Sequence, residues 1–239
     1  MTIKVGSAVV LLLLLCGSAF AQVDSLGGKP SHYLGVQANQ LIRQILNFGN
    51  TNVAVNNPYL LTYSVNNGRT GHGLNIGLGY FLSELKDGDL MNKRETSISN
   101  LSFRIGWERK KTFARNWVAS YGVDLTMARN SNETTNSTDT EFNKSRITTN
   151  SLVNGTGFGS RLTLNYMFSP RLMIGTEVNY YFTSQKNSLD IKSSITTQQW
   201  DPIAQQMVMV TTTDSDDLED KTKRFELSPP VAIFLIMKL

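Results

Sequence analysis

Apolar and polar residues alternate most regularly within residues 157–182, a stretch that predicts a β-hairpin. One parity is apolar and comprises Leu162, Leu164, Tyr166 and Phe168 before the turn and Leu172, Ile174, Val178, Tyr180 and Phe182 after it. The other parity carries Arg161 and Glu177 near the middle of the two arms, and only Ser169 and Pro170 separate the arms. A period of two predicts strands with two unlike faces.

The apolar face of the hairpin could pack in the core of a soluble sandwich or face the lipid of a membrane, and the length of the arms bears on this choice. Each arm alternates over about ten residues, which a tilted strand needs to cross a bilayer and which exceeds the common strand length of about five or six. The aromatic residues Tyr166, Phe168, Tyr180 and Phe182 lie at the ends of the arms, where interfacial side chains belong. A soluble sandwich remains open on the hairpin alone, but the length favours a transmembrane β-barrel.

The same alternation recurs along the chain and predicts about eight strands. They cover residues 33–41, 59–65, 73–83, 98–109, 117–127, 147–168, 171–182 and 225–239. Within residues 41–48 the apolar positions also fit helical spacing, so a short helix there is an alternative.

Long and short connections alternate between these strands. Residues 84–96, 130–146 and 186–224 are polar and are expected to form long loops or insertions, whereas residues 66–71 and 110–115 are expected to form short turns. In an antiparallel sheet this places all long connections at one end, and the short turns and both termini at the other. The sequence therefore predicts an all-β fold, a single antiparallel up-and-down transmembrane β-barrel.

The N-terminus has the pattern of a secretory signal peptide. Lys4 precedes an apolar run at residues 9–15, and Ala19 to Ala21 provide a cleavage site with small residues. We expect residues 1–21 to be removed, leaving residues 22–239 as one barrel domain. The single cysteine, Cys16, would leave with the peptide, so disulfides and thiolate sites are not expected.

The final segment, FELSPPVAIFLIMKL, resembles the closing strand of a known family. Its apolar parity comprises Val231, Ile233, Leu235, Met237 and Leu239. By ending on such a strand, the chain resembles the small outer-membrane β-barrel proteins of Gram-negative bacteria, the OmpA- and OmpX-like barrels. These usually end in an aromatic residue, whereas this chain ends in Leu239. The resemblance implies export through the periplasm to the outer membrane, contact with outer-membrane lipids, and recognition by the barrel-insertion machinery. It also implies a monomer, and no peptidoglycan-binding module is expected.

If the apolar parity faces lipid, five charged residues face the interior of the barrel. They are Arg104, Glu108, Asp124, Arg161 and Glu177. Buried charges persist when they are paired, and the interior of an eight-stranded barrel is narrow enough for side chains to fill. We expect these charges to form a structural network that plugs the barrel. The alternative is that they form a path for ions or protons.

Composition argues against several other functions. The net charge of +4 is modest, and the basic trio Arg109 to Lys111 is expected in a turn, so nucleic-acid binding is not predicted. The two histidines, His32 and His72, are expected at the end with the short turns, away from any nucleophile, so neither catalysis nor a cofactor is predicted. An acidic run offers oxygen ligands for calcium, although we expect a solvated loop without metal. It consists of Asp214, Asp216, Asp217, Glu219 and Asp220.

The insertion at residues 186–224 is the best candidate for a binding surface. Residues 191–197 and 207–210 have strand-like composition, and Asp201-Pro202 signals a turn between them. Near the tip lie four apolar residues: Trp200, Ile203, Met207 and Met209. Exposed, they would form a binding surface for an extracellular ligand; alternatively they pack on neighbouring loops.

These observations predict an outer-membrane protein with a structural or surface-interaction role. A narrow channel or an outer-membrane enzyme is an alternative. A soluble, secreted, lipocalin-like ligand-binding barrel is a further alternative, disfavoured by the charged inward face.

Overall fold

The computed structural model describes residues 29–38, 58–89, 91–140, 143–228 and 232–239. The described residues form nine strands. They are β1 (Pro30–Gln37), β2 (Leu61–Asn67), β3 (His72–Gly88), β4 (Asn92–Ala114), β5 (Trp117–Asp139), β6 (Asn143–Ser169), β7 (Leu172–Asp201), β8 (Gln206–Ser228) and β9 (Ile233–Lys238). Among the described residues, no helix is long and apolar enough to cross a membrane.

The strands form one antiparallel sheet that closes in a ring. Neighbours in the chain are neighbours in the sheet from β1 to β7, and β9 closes the ring by pairing with both β1 and β7. β8 and β9 lie along the same strand, because β8 pairs with residues 179–201 of β7 and β9 with residues 172–176. They therefore share one position in the ring, so the ring has eight strand positions. The predicted all-β class and up-and-down order are confirmed.

The two faces of the ring are oriented as the alternation predicts. Val123, Leu125 and Leu162 point outward and are 57%, 61% and 54% exposed. Arg104 and Asp124 point inward and are fully buried. The charged parity therefore fills the interior, and the apolar parity covers the outside.

Two segments expected to be loops are strands instead. β3 continues to Gly88 and β4 begins at Asn92, within predicted loop 84–96, while β5 runs to Asp139 and β6 begins at Asn143, within predicted loop 130–146. These two segments are too polar to bury a hydrophobic core. A strand that is flanked by partner strands can nevertheless satisfy its backbone hydrogen bonds without such a core. Cross-strand hydroxyl pairs such as Thr135–Thr148 at 3.2 Å add to this pairing.

The sheet therefore continues well beyond the ring on one side. The ring reaches the row in which Leu61 pairs with Leu78 and Phe103 with Met127. Beyond that row, residues 79–102, 128–155 and 185–222 form a sheet that we call the extension, within which residues 90, 141 and 142 are not described. Among described residues, β3 pairs there only with β4 and β8 only with β7.

The predicted insertion at residues 186–224 is confirmed as a long hairpin. β7 ends at Asp201 and β8 begins at Gln206. The Asp201 carboxylate accepts hydrogen bonds from the backbone amides of Ile203 and Ala204 at 2.8 and 3.1 Å, which fixes the turn. The acidic run lies on β8, so the prediction of an acidic loop is wrong.

Smaller predictions are also corrected. The predicted turn 110–115 is wrong because β4 continues to Ala114, with a register shift between Thr112 and Ala114, and only Arg115 and Asn116 turn. The predicted first strand 33–41 begins earlier, because β1 spans Pro30–Gln37, and residues 39–41 lie outside the described residues. The alternative helix at residues 41–48 and the signal peptide at residues 1–21 lie outside the described residues.

Candidate functional site

All five charged residues predicted to face inward meet inside the ring, together with one that the sequence analysis missed. We call Arg104, Glu108, Lys110, Asp124, Arg161 and Glu177 the charged core. Each is buried or nearly so: the side chain of Lys110 is 12% exposed, and the other five residues are at most 4% exposed. Three cations face three carboxylates, so the set is formally neutral.

The Arg104–Glu177 pair crosses the interior of the ring. Arg104 Nη1 and Nη2 donate to Glu177 Oε1 and Oε2 at 2.8 and 3.2 Å, a bidentate pair between β4 and β7. The guanidinium also lies 4.3 Å from the ring centre of Tyr59, a cation–π contact. Asn179 donates to Glu177 Oε1 at 3.1 Å. Such paired geometry is what allows a buried guanidinium to persist.

Arg161 joins the remaining two carboxylates. Its Nε donates to Asp124 Oδ2 at 2.9 Å, and its Nη1 donates to Glu108 Oε2 at 3.1 Å. The Tyr181 hydroxyl donates to Asp124 Oδ2 at 2.8 Å. Strands β4, β5, β6 and β7 are therefore tied together through the interior.

Lys110 is the member that sequence reasoning missed, because it was assigned to a turn. Its Nζ lies 3.5 Å from Glu108 Oε1, donates to Ser64 Oγ at 3.1 Å, and lies 3.6 Å from the ring centre of Tyr33. The signal was available: Arg104, Glu108 and Lys110 share one parity. Extending the alternation past Arg109 would have placed Lys110 inside.

Glycines on the inward parity make room for the charged core. A Cβ at Gly106 would collide with the Asp124 carboxylate, and one at Gly77 would lie 3.1 Å from Arg104 Nε. Besides the shared parity of the charged residues, the glycines that alternate with them on the inward face are a second sequence feature that indicates the charged core.

The described residues enclose a small cavity inside the ring. A cavity of about 40 Å³ lies among Arg104, Glu108, Arg161 and Glu177. Its volume suits one or two water molecules rather than an organic ligand. The arrangement can hold the strands together.

The outside of the ring carries a band of exposed apolar side chains that we call the apolar belt. The belt consists of Leu78, Trp107, Tyr121, Val123, Leu125, Met127, Phe158, Leu162, Leu164, Ile174, Tyr180, Leu235 and Met237, each at least 40% exposed. A monomeric soluble protein rarely exposes so large a continuous apolar surface.

Comparison with protein-family models, curated proteins and solved structures finds no match for this chain. The function must therefore be argued from the residues themselves.

The two histidines lie at the end of the ring that holds the short turns. His32 Nδ1 is 2.7 Å from the Tyr63 hydroxyl, and the ring of His72 lies 5.3 Å from that of Trp107. Neither contact is with a serine or a carboxylate.

The acidic run is divided between the two faces of β8. Asp214, Asp216 and Asp220 share one parity, and Asp217 and Glu219 share the other. Glu219 pairs with Lys186 at 2.7 Å. Among the described residues, no group of three or more His, Cys, Asp and Glu side chains is placed to hold a metal ion.

The predicted tip residues lie at the far end of the β7–β8 hairpin. Trp200 and Met207 form a cross-strand pair, Met209 shares their face, and Ile203 lies in the turn. Ile203 is 94% exposed and Trp200 is 59% exposed. Among the described residues, β6 pairs with β7 as far as Thr197, and the tip side chains lie beyond that pair.

Proposed function

We propose that the mature chain is an outer-membrane β-barrel protein with a plugged interior, and that its extension carries a surface-interaction role. The observation that carries this proposal is the combination of an exposed apolar belt with a buried, charge-neutral interior. In water, a protein would be expected to place its charged face outside and its apolar face inside. Hydrocarbon around the protein favours the observed arrangement, with the apolar face outside and the charged face inside. β9 closes the ring by pairing with both β1 and β7, and at that level the closure removes the open strand edges that a lipid environment does not tolerate.

The height of the belt fits a membrane. On β7 the apolar outward positions run from Leu172 to Phe182. Ten residue steps cover about 33 Å along a strand, or about 25 Å in height at a tilt of about 40°, which matches the apolar band of outer-membrane barrels.

Aromatic side chains line both margins of the belt. At the short-turn end, Trp117 contacts Tyr166 with ring centres 5.1 Å apart. At the extension end, Phe182 contacts both Phe158 and Phe225, at 5.7 and 5.0 Å. Two such girdles are typical of barrels whose margins lie in the lipid headgroups. They support a membrane location. The proposal further includes export with residues 1–21 as the signal, the outer membrane as the destination and the barrel-insertion machinery as a partner.

Within this proposal the charged core is structural. A channel is disfavoured because the charged core crosses the interior and leaves a cavity of only about 40 Å³. A lipocalin-like site is disfavoured because the inward face is ionic. A single-channel conductance in planar bilayers that is lost in Arg161→Ala would contradict the plugged interior.

One matched pair of substitutions tests the membrane location. Leu125→Arg changes a central belt position, and Thr135→Arg changes the same face of the same strand in the extension. Leu125→Arg is expected to cost about 2–4 kcal/mol in the membrane, whereas Thr135→Arg is expected to be nearly neutral. Fractionation of cell envelopes and heat-dependent mobility in detergent gels measure the outcome. Equal behaviour of both variants, or recovery of the wild-type protein in the soluble fraction, would refute the membrane assignment.

A deletion tests the surface role. Removing residues 198–206 takes away Trp200 and Ile203 and leaves the ring intact. Heat-dependent mobility is expected to be unchanged, while adhesion of cells carrying the protein is expected to fall. Unchanged adhesion would mean that the tip side chains are not the interacting surface.

A further inference from the structure

We propose that the far end of the extension contains a binding site for a small anionic ligand that also bears hydroxyl groups, such as a sugar carrying a phosphate, sulfate or carboxylate group. The observation is a cavity of about 250 Å³ formed where β4, β5, β6 and β7 lie side by side. This volume is just below the range for drug-sized ligands, so it suits a single sugar ring. The site is separate from the charged core and from the tip residues of the β7–β8 hairpin.

Two rows of the sheet that share one face supply most of the cavity's lining, together with Met91 and the intervening pair Thr138 and Ser145. In the first row Lys93 pairs with Ser137, Ser137 with Arg146, and Arg146 with Ser194. In the second row Asp139 pairs with Lys144, and Lys144 with Thr196. Because paired residues lie on the same face, their side chains converge on one surface. Lys93 and Arg146 are separated by about 10 Å across two strand spacings, which places Ser137 between two cations.

The charges of the site are unbalanced. Lys144 is paired with Asp139 at 3.2 Å, but among the described residues Lys93 and Arg146 make no ion pair. Glu95, another carboxylate on this face of β4, is held by Lys86 at 3.4 Å. Three cations against one carboxylate leave an excess of two positive charges beside the hydroxyls of Ser137, Ser194 and Thr196. Cations favour an anionic group, and serine and threonine hydroxyls can donate to and accept from ligand hydroxyls.

The site is not explained by the needs of the fold. The hairpin end is already closed by backbone bonds from Asp139 N to Met91 O at 2.8 Å and from Thr140 N to Asn143 O at 2.9 Å. The side chains of Lys93 and Arg146 make none of those bonds, so both remain available to an anionic group.

Calorimetric titration of the refolded full-length protein in detergent tests this inference, whether or not the membrane assignment holds. The probes are glucose 6-phosphate, glucose 6-sulfate, glucuronate, glucose and inorganic phosphate. Saturable binding of at least one charged sugar is expected, with glucose much weaker. If inorganic phosphate binds as tightly as the sugars, or if no charged sugar binds, the proposed ligand class is wrong.

Variants separate a built site from general electrostatics. Lys93→Gln combined with Arg146→Gln is expected to weaken binding about tenfold or more, as loss of charge-assisted hydrogen bonds implies. Ser194→Phe keeps every charge but fills the cavity, and a similar loss is expected. Arg129→Gln is the control, because Arg129 lies on the same face of β5 in the extension but does not line the cavity. Equal weakening by Arg129→Gln, or undiminished binding in Ser194→Phe, would overturn the proposal.

Discussion

The six strands β3 to β8 run through both the ring and the extension, whereas β1, β2 and β9 belong to the ring alone, and different interactions hold the two regions. In the ring, β1 to β7 and β9 each have partners on both sides, among the described residues β8 pairs only with β7, and the charged core fills the interior. In the extension, both faces are largely polar and exposed, and cross-strand hydroxyl pairs such as Thr196–Thr211 at 2.8 Å replace a core. β3 and β8 are also open at one edge there, among described residues. Continuous strands thus join a region fixed by buried contacts to one fixed mainly by backbone hydrogen bonds.

The largest contrast is expected between ion pairs of the two regions. Arg161→Ala leaves Asp124 and Glu108 buried without their guanidinium, so the free energy of unfolding should fall by about 3–5 kcal/mol. Lys186→Ala removes an exposed partner of Glu219 in the extension, and a change of about 0–1 kcal/mol is expected. Urea titration of the protein in lipid vesicles measures both. Similar losses in the two variants would show that the charged core is not the main stabilising element of the ring.

A smaller contrast is expected in amide hydrogen exchange. Buried, doubly paired strands open rarely, whereas an exposed sheet with open edges opens locally at low cost. Amides of residues 79–88 in β3 and 206–222 in β8 are therefore expected to exchange first, those of β5 and β6 in the extension next, and those of the ring last. Mass spectrometry of peptic fragments can resolve these segments. Uniform protection along β5 would mean that the extension is as stable as the ring.

This division explains what could be predicted from the sequence. In the ring, unlike faces give each strand a period of two, so the orientation of Arg161 and Leu162 could be read directly. In residues 130–146 both faces are polar, so no period separates strand from loop. Pairing with β4 and β7 decides that segment, and pairing partners are not visible in a local pattern.

The charged core shows the same limit. Four of its members lie in the middle of regular alternation and Glu108 near its end, so all five were predicted. Lys110 lies where three consecutive cations, Arg109 to Lys111, hide the alternation. Its contacts with Ser64 and Tyr33 come from β2 and β1, strands distant in the sequence.

The smallest expected effect concerns the turn between β3 and β4 in the extension. Asp89 accepts hydrogen bonds from the backbone amides of Asn92 and Met91 at 2.6 and 2.8 Å, and these bonds hold the pKa of its carboxyl below the usual value. A carboxyl with a lowered pKa in the folded state stabilises the turn above the pKa of the unfolded chain, and that contribution is lost as the pH falls through the lower, folded value.

The amide chemical shifts of Met91 and Asn92 should therefore titrate at acidic pH in the wild type and not in Asp89→Asn, whose side-chain oxygen remains an acceptor at all pH values. Because Asp89 is fully exposed, the free energy of unfolding of the ring should not change measurably in either Asp89→Asn or Asp89→Ala. A titration that persists in Asp89→Asn would assign the pH dependence to another group, and a destabilised ring would mean that the two regions unfold as one unit.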